Sequence, residues 1–405
     1  MKNCYLILSF FFLLSEVVTS QNKEIQPYVD FLKEQQTNPV DYVFKLFEKY
    51  DVVVLQERDH RDTTQYELFD KIISDLRFIK NVGNVFTEVG VSNQTEAINK
   101  VLKADYPSQE IFEDSLRGIY REMDYMIMWD KYNYWQFLKN LHKVNRSLSE
   151  EEKINYYPSD TPFDWASCKT RTEMKCYLDY IWGFTGSEGQ VKVRDSIMGM
   201  HVANEVERIQ KTEKRKKALV ILNSPHAMPR TILYRHKKAA AYIFEKHLGK
   251  VVNVFINWID FCNEKDNNIF IQGGKWDAAF KYLNNPVLGF DLQNSPFGRD
   301  TYDVCIGEHQ NGVKVKYQDL YNGFIFYKPV DEWKLMIGIP GIVTEEFLPE
   351  LKRRTSLYDP DSRDEGERLK EYYNTIREVP IISLKDPYFL DIKDLNKYID
   401  RWLGK

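Results

Sequence analysis

From residue 51 the chain alternates short apolar runs with stretches of helical spacing. Asp51-Val-Val-Val-Leu-Gln56 reads as a strand, and Tyr66, Phe69, Ile73 and Leu76 then fall three or four residues apart, predicting a helix from Thr63. Asn84-Val-Phe-Thr-Glu88 repeats the strand signal, and strand, helix, strand, helix over 51–103 implies parallel pairing. Before it, 27–49 reads as one amphipathic helix. Between 104 and 190 the aromatic and aliphatic positions (Phe112, Leu116, Ile119, Met123, then Tyr125 to Leu141) predict a helical insertion, closing on Tyr156-Tyr-Pro-Ser-Asp160 and a Gly/Ser-rich connection, Gly183 to Gly189. Met198, Val202, Val206 and Ile209 mark the inward face of a helix over 194–211. The strand Ala218-Leu-Val-Ile-Leu-Asn223, a helix over 231–247 and the strand Val251 to Ile256 follow, with shorter strands at 323–327 and 334–338. The expected fold is α/β: a mostly parallel central sheet flanked by helices, with a helical insertion capping the cleft. Its expected parts are 1–20, a leader; 21–345, one α/β domain with 104–190 as the cap; and 346–405, a charged helical extension.

The leader follows from Lys2, the apolar stretch Tyr5 to Leu14 and the small residues Val18-Thr19-Ser20, the order of a secretory signal. Cleavage near Ser20 would place the mature chain in the periplasm or outside the cell. No later stretch reaches membrane-spanning length. The formal charge of −4 is close to balance and gives no support for nucleic acid as a partner. Four cysteines remain beyond the leader, Cys168, Cys176, Cys262 and Cys305, without the paired spacing of a zinc site. Bridges Cys168–Cys176 and Cys262–Cys305, or free thiols, are both open readings. Asn93-Gln-Thr95 and Asn145-Arg-Ser147 have the form of glycosylation acceptors.

Candidate chemistry gathers where predicted strands end. Glu57 and His60 follow the first strand, Glu88 closes the second, and Asn223 and His226 follow the third. Groups at the carboxyl ends of parallel strands face a crevice. A carboxylate beside an imidazole fixes its tautomer and raises its basicity, and such a histidine can take a proton from water. Arg194 lies one turn before Met198 on the inward face, where an arginine requires a counter-charge. Glu88 or Glu57 is the expected partner, with Asp195 assisting and His201 near the same face; an ion pair that only ties helix to sheet is the alternative. A neutral His60 acting as base predicts activity rising with pH around 6 to 7.

In order and spacing, strand–Glu57-x-x-His60, strand–Glu88, helical insertion, Arg194-Asp195-x-x-Met198-Gly199 and strand–Asn223-Ser224-x-His226 resemble the erythromycin-esterase-like family, in the wider group that includes Tiki/ChaN-like proteins. The resemblance covers about residues 40 to 340. It differs at Gln56 and Arg61, where the family has glycine, and at Asn223, where it has histidine. What it implies is a hydrolase of a small-molecule ester or lactone without cofactor or metal: His60 activates water, Glu57 and Glu88 orient and polarise, and His226 completes the site. Arg194, Asp195, His201 and Asn223 would bind substrate or support the site. The alternatives are a metal- or haem-associated protein using His60, Glu88 and His226 as ligands, and a non-catalytic binding protein on the same fold.

Overall fold

The computed structural model describes residues 23–182, 193–230, 236–259, 270–304, 312–358, 366–380 and 392–404. The expected leader, the Gly183 to Gly189 connection and the Cys262–Cys305 pair lie outside them. Two compact units are present: one comprises Met1–Pro39, Ile256–Trp333 and Pro380–Lys405, the other Val40–Phe255 and Lys334–Val379.

The larger unit carries parallel strands β1 (Val52–Glu57), β2 (Asn84–Val91), β3 (Asn155–Asp160), β4 (Ala218–Asn223) and β5 (Val251–Ile256), in the spatial order β3-β2-β4-β1-β5. Every residue of β1, β2 and β5 is buried, as a parallel sheet covered on both faces requires. On one face the helix Arg194–Thr212 presents Met198, Val202, Val206 and Ile209, all fully buried, to Val52, Val54, Phe86, Val220 and Leu222. The helix Thr63–Ser74 begins where the pattern predicts, because the Asp62 carboxylate accepts from Thr64 and Gln65 N–H and caps it. The fold is α/β and mostly parallel.

The helix expected over 231–247 runs over Ala239–Lys246, with 231–235 outside the described residues, and two further elements differ from the pattern. The stretch 27–49 is two helices, Gln26–Lys33 and Pro39–Lys49. Pro39 opens the second, a position that needs no backbone N–H, and it disfavours helix at Asn38. A strand, β3, also runs inside the stretch read as helical insertion, alongside the helices Gln109–Tyr120, Tyr132–Arg146 and Arg171–Trp182. Its partner is β2, with Val85 facing Tyr156 and Phe86 facing Tyr157 in register. Pro158 is tolerated because β3 is the last strand on that side.

The smaller unit contains an antiparallel pair, β6 (Leu288–Asp291) with β7 (Gly323–Phe326). Its core is aromatic: Phe280, Phe290, Phe297 and Phe324 stack or meet edge to face around Trp276. Helices Leu348–Tyr358 and Gly366–Asn374 and the antiparallel pair β8 (Leu335–Ile337) with β9 (Arg377–Val379) belong to the larger unit.

Both acceptor-like asparagines are hydrogen-bonded within the fold, Asn145 buried and Asn93 exposed. Asn145 is fully buried, and its amide donates to Leu102 and Ile154 carbonyls and accepts from Ile154 N–H. Asn93 donates to and accepts from the Phe163 backbone. Cys168 is a buried free thiol and Cys176 an exposed one, so the 168–176 bridge is not formed.

Candidate functional site

The site lies wholly in the larger unit, at the carboxyl ends of β1, β3 and β4 and at Glu88, which does not close β2 as expected but stands three residues before its end, where the register with β3 shifts. Glu57 and Asn223 are direct register partners, which sets both strand ends at one level. Glu57 is buried, and its two oxygens are divided: Oε1 accepts from the Tyr66 hydroxyl at 3.0 Å, while Oε2 lies 2.7 Å from His60 Nδ1. The second contact has ion-pair distance but sits off the line of an N–H···O bond. His60 keeps 26% of its side-chain surface exposed, so solvent reaches the ring, and the Trp129 ring meets it edge-on at 4.9 Å between centroids. Asp59, the residue before His60, is bound by Arg61, and Arg58 is buried against Asp62. Gln65 ties this turn down, accepting from Arg58 N–H and donating to the Asp59 carbonyl. Arg61 is therefore part of the turn's own support.

Glu88 is the centre of the arrangement. Its Oε1 accepts from Arg194 Nη2 at 2.9 Å and lies 3.6 Å from His226 Nε2 and 3.8 Å from His60 Nε2. Its Oε2 accepts from the Asn223 backbone N–H at 2.8 Å. Burial works against this charge, but His226, Arg194, His60 and the Asn223 N–H outweigh it and hold Glu88 at about 2. Arg194 is buried and fully engaged. Nε and Nη2 bind Asp160, Nη2 also binds Glu88, and Nη1 lies 3.3 Å from His226 Nε2. The Trp182 ring lies beneath the guanidinium, 4.9 Å from its centroid.

His226 forms a second histidine–carboxylate pair. Its Nδ1 is 2.6 Å from Asp195 Oδ1, which also accepts from Ala239 N–H. Asp195 stays ionised, held at about 2: burial opposes the charge, and His226 and Lys238 overcome it. An ionised Asp195 fixes the His226 proton on Nδ1 and turns Nε2 toward Arg194.

The structure thus brings together Glu57, His60, Glu88, Arg194, Asp195, Asn223 and His226. His201 is not among them. It makes no hydrogen bond or ion pair among the described residues, and burial lowers its pKa. Arg194 pairs with Glu88, as one reading expected, but its other partner is Asp160 rather than Glu57. Asp195 serves His226 rather than Arg194. Asp160 and Tyr66 were missed. Asp160 ends a strand on a carboxylate, the same signal as Glu57, but Pro158 and the helical neighbourhood hide the strand. Tyr66 shows only as one apolar position of a helix face.

The expected neutral His60 does not hold. Burial lowers its basicity, but Glu57, Glu88 and Asp59 together raise it to about 9. A metal ion fits the set His60, Glu88 and His226 poorly. It would stand against the Arg194 guanidinium, which already binds Glu88 and faces His226, and like charges at that range repel. Among the described residues no group of three or more His, Cys, Asp or Glu side chains is placed to hold one.

The class this defines is an α/β protein with two histidine–carboxylate pairs facing a third carboxylate across strand ends. No family model and no curated protein sequence matches the chain. Among solved structures it is similar to a succinoglycan biosynthesis protein at 8% identity and a TM-score of 0.48, over 76% of this chain and 97% of that one. An erythromycin esterase variant, EreC, in its open conformation matches at 9% identity and 0.46, over 72% and 96%. ChaN of Campylobacter jejuni, solved with cofacial haem binding, matches at 14% and 0.30, over 53% and 86%. At these identities and scores the likeness does not reach to function, which rests on the site's own geometry.

Proposed function

We propose that the protein hydrolyses an ester or lactone of a small molecule, with His60 as the base that activates water, and that it acts outside the cytoplasm after losing about its first 20 residues. The observation that carries the first part is the convergence of His60 and His226 on the single carboxylate of Glu88. Nδ1 of His60 faces Glu57, so Nε2 is the ring atom left to take a proton. It has no direct hydrogen bond, being 3.8 Å from Glu88. Proton transfer from water makes His60 an imidazolium, which the carboxyl groups of Glu57 and Glu88 beside it stabilise. The hydroxide adds to the acyl carbon, and His60 then returns the proton to the leaving alkoxide. Arg194 balances Glu88 and Asp160 and aims His226 at the same centre.

Turnover of a panel of esters and lactones by wild type and His60→Asn tests this. Hydrolysis by wild type that is lost in His60→Asn, with substrate binding retained, is the expected result. Equal rates in both proteins, or none in either, overturn the assignment.

A further inference from the structure

A second feature stands at the opposite ends of the same strands. A groove of about 650 Å³ opens where β1, β2 and β4 begin, and its lining carries six cations, Arg77, Lys80 and Lys214 to Lys217, against two carboxylates, Glu48 and Asp51. Two of the six are neutralised: Arg77 by Asp41 and Asp75, and Lys214 by Glu151. The other four have no carboxylate within ion-pair distance among the described residues. Arg215 and Lys217 bind carbonyls only, Arg215 those of Ile79, Glu152 and Lys153, and Lys217 those of Phe47 and Tyr50. Carbonyls satisfy their donors without cancelling their charge. Lys80 and Lys216 are exposed and have no partner at all among the described residues.

The groove is also rigid. The Asn84 amide donates to the carbonyls of Val82, Arg215 and Lys217, fixing the cationic segment to the start of β2. Gly83 takes a positive φ of 64°, and a Cβ there would fall 2.3 Å from the Arg215 guanidinium carbon, so the close seat of Arg215 requires glycine. Cations held in place before a ligand arrives lose little freedom on binding. Phe44, Phe47 and Val82 give the groove an apolar side.

We propose that this groove is a binding site for a small polyanion carrying several phosphate or sulfate groups. It is separate from the histidine cluster, since a strand of six residues sets the two ends roughly 17 Å apart. Lys80 and Lys216 close on the anion, while Arg215 and Lys217 supply fixed positive potential behind them.

Calorimetric titration of the full chain with inositol hexakisphosphate and with sucrose octasulfate tests the site and tells phosphate from sulfate by which binds more tightly. Saturable binding that weakens with added salt is expected. It should weaken about ten-fold or more in the double variant Lys80→Gln/Lys216→Gln. Because both side chains are exposed and unpartnered, melting curves should be unchanged. Lys100→Gln/Lys143→Gln, two exposed lysines elsewhere, should bind as wild type does. No saturable binding of either anion overturns the proposal. So does equal weakening in both double variants, which would mean general charge attraction.

Discussion

Glu88 is the carboxylate that both histidines face, and its charge makes the site a stability element as well. Its pKa falls from an ordinary 4.5 to about 2 on folding. Its contribution is therefore complete above about 4.5 and disappears as pH falls toward 2, on the order of 3 kcal/mol. His60 has the opposite sign. Raised from 6.5 to about 9, it contributes fully below 6.5 and loses that contribution as pH rises through 9. Denaturant midpoints should show Glu88→Gln differing most from wild type near pH 6 and converging with it toward pH 2, while His60→Asn converges toward wild type above pH 9. Arg194→Met leaves Glu88 and Asp160 unpaired and should cost roughly 3–5 kcal/mol; an unchanged midpoint would mean that the ion network contributes nothing. Tyr66→Phe removes the hydroxyl that engages Glu57 Oε1, so Glu57 acts on His60 with its charge less spread. His60 followed by NMR should then titrate at higher pH, and an unmoved titration would show that Tyr66 only packs. Glu57, His60, Glu88, Asn223 and His226 were readable because each follows an apolar run. The partners of Arg194 were not, because one inward arginine fits any nearby carboxylate until the strand order is known.

At the level of elements, hydrophobic periodicity located β1, β2, β4 and β5 and the helix Arg194–Thr212, the strands almost wholly buried and the helix buried along its apolar face. It failed where a rule of another kind decides the structure. Pro39 splits a helix whose apolar spacing runs on without interruption. β3 carries Pro158 and three polar residues, Asn155, Ser159 and Asp160, so alternation is too short to show, and its identity comes from pairing with β2. Asn145 illustrates the cost of reading a three-residue motif without burial. Its amide joins the helix Tyr132–Arg146 to the start of β3, so Asn145→Ala should destabilise by roughly 1–3 kcal/mol through orphaned backbone groups. Protein made in a glycosylating host should carry no glycan there, and intact-peptide mass spectrometry reads this directly.

For the molecule as a whole, the chain divides its work between a larger unit that holds the strand-end cluster and the cationic groove and a smaller one with an aromatic core built from three separate stretches of sequence. That division was hidden from a reading along the chain, because contacts between distant stretches set it. Among the described residues no helix is long and apolar enough to cross a membrane. The proposed export predicts a mature amino terminus near Gln21 in secreted or periplasmic material, and retained Met1 in that fraction would rule it out. The chemistry itself is tested most directly by the pH dependence of kcat/KM for the best ester. A base near 9 is deprotonated in only about one molecule in a hundred at pH 7. The rate should therefore climb about ten-fold per pH unit from 7 and level off above about 9. A rate already level at pH 7 to 8 would contradict His60 as the base held between Glu57 and Glu88.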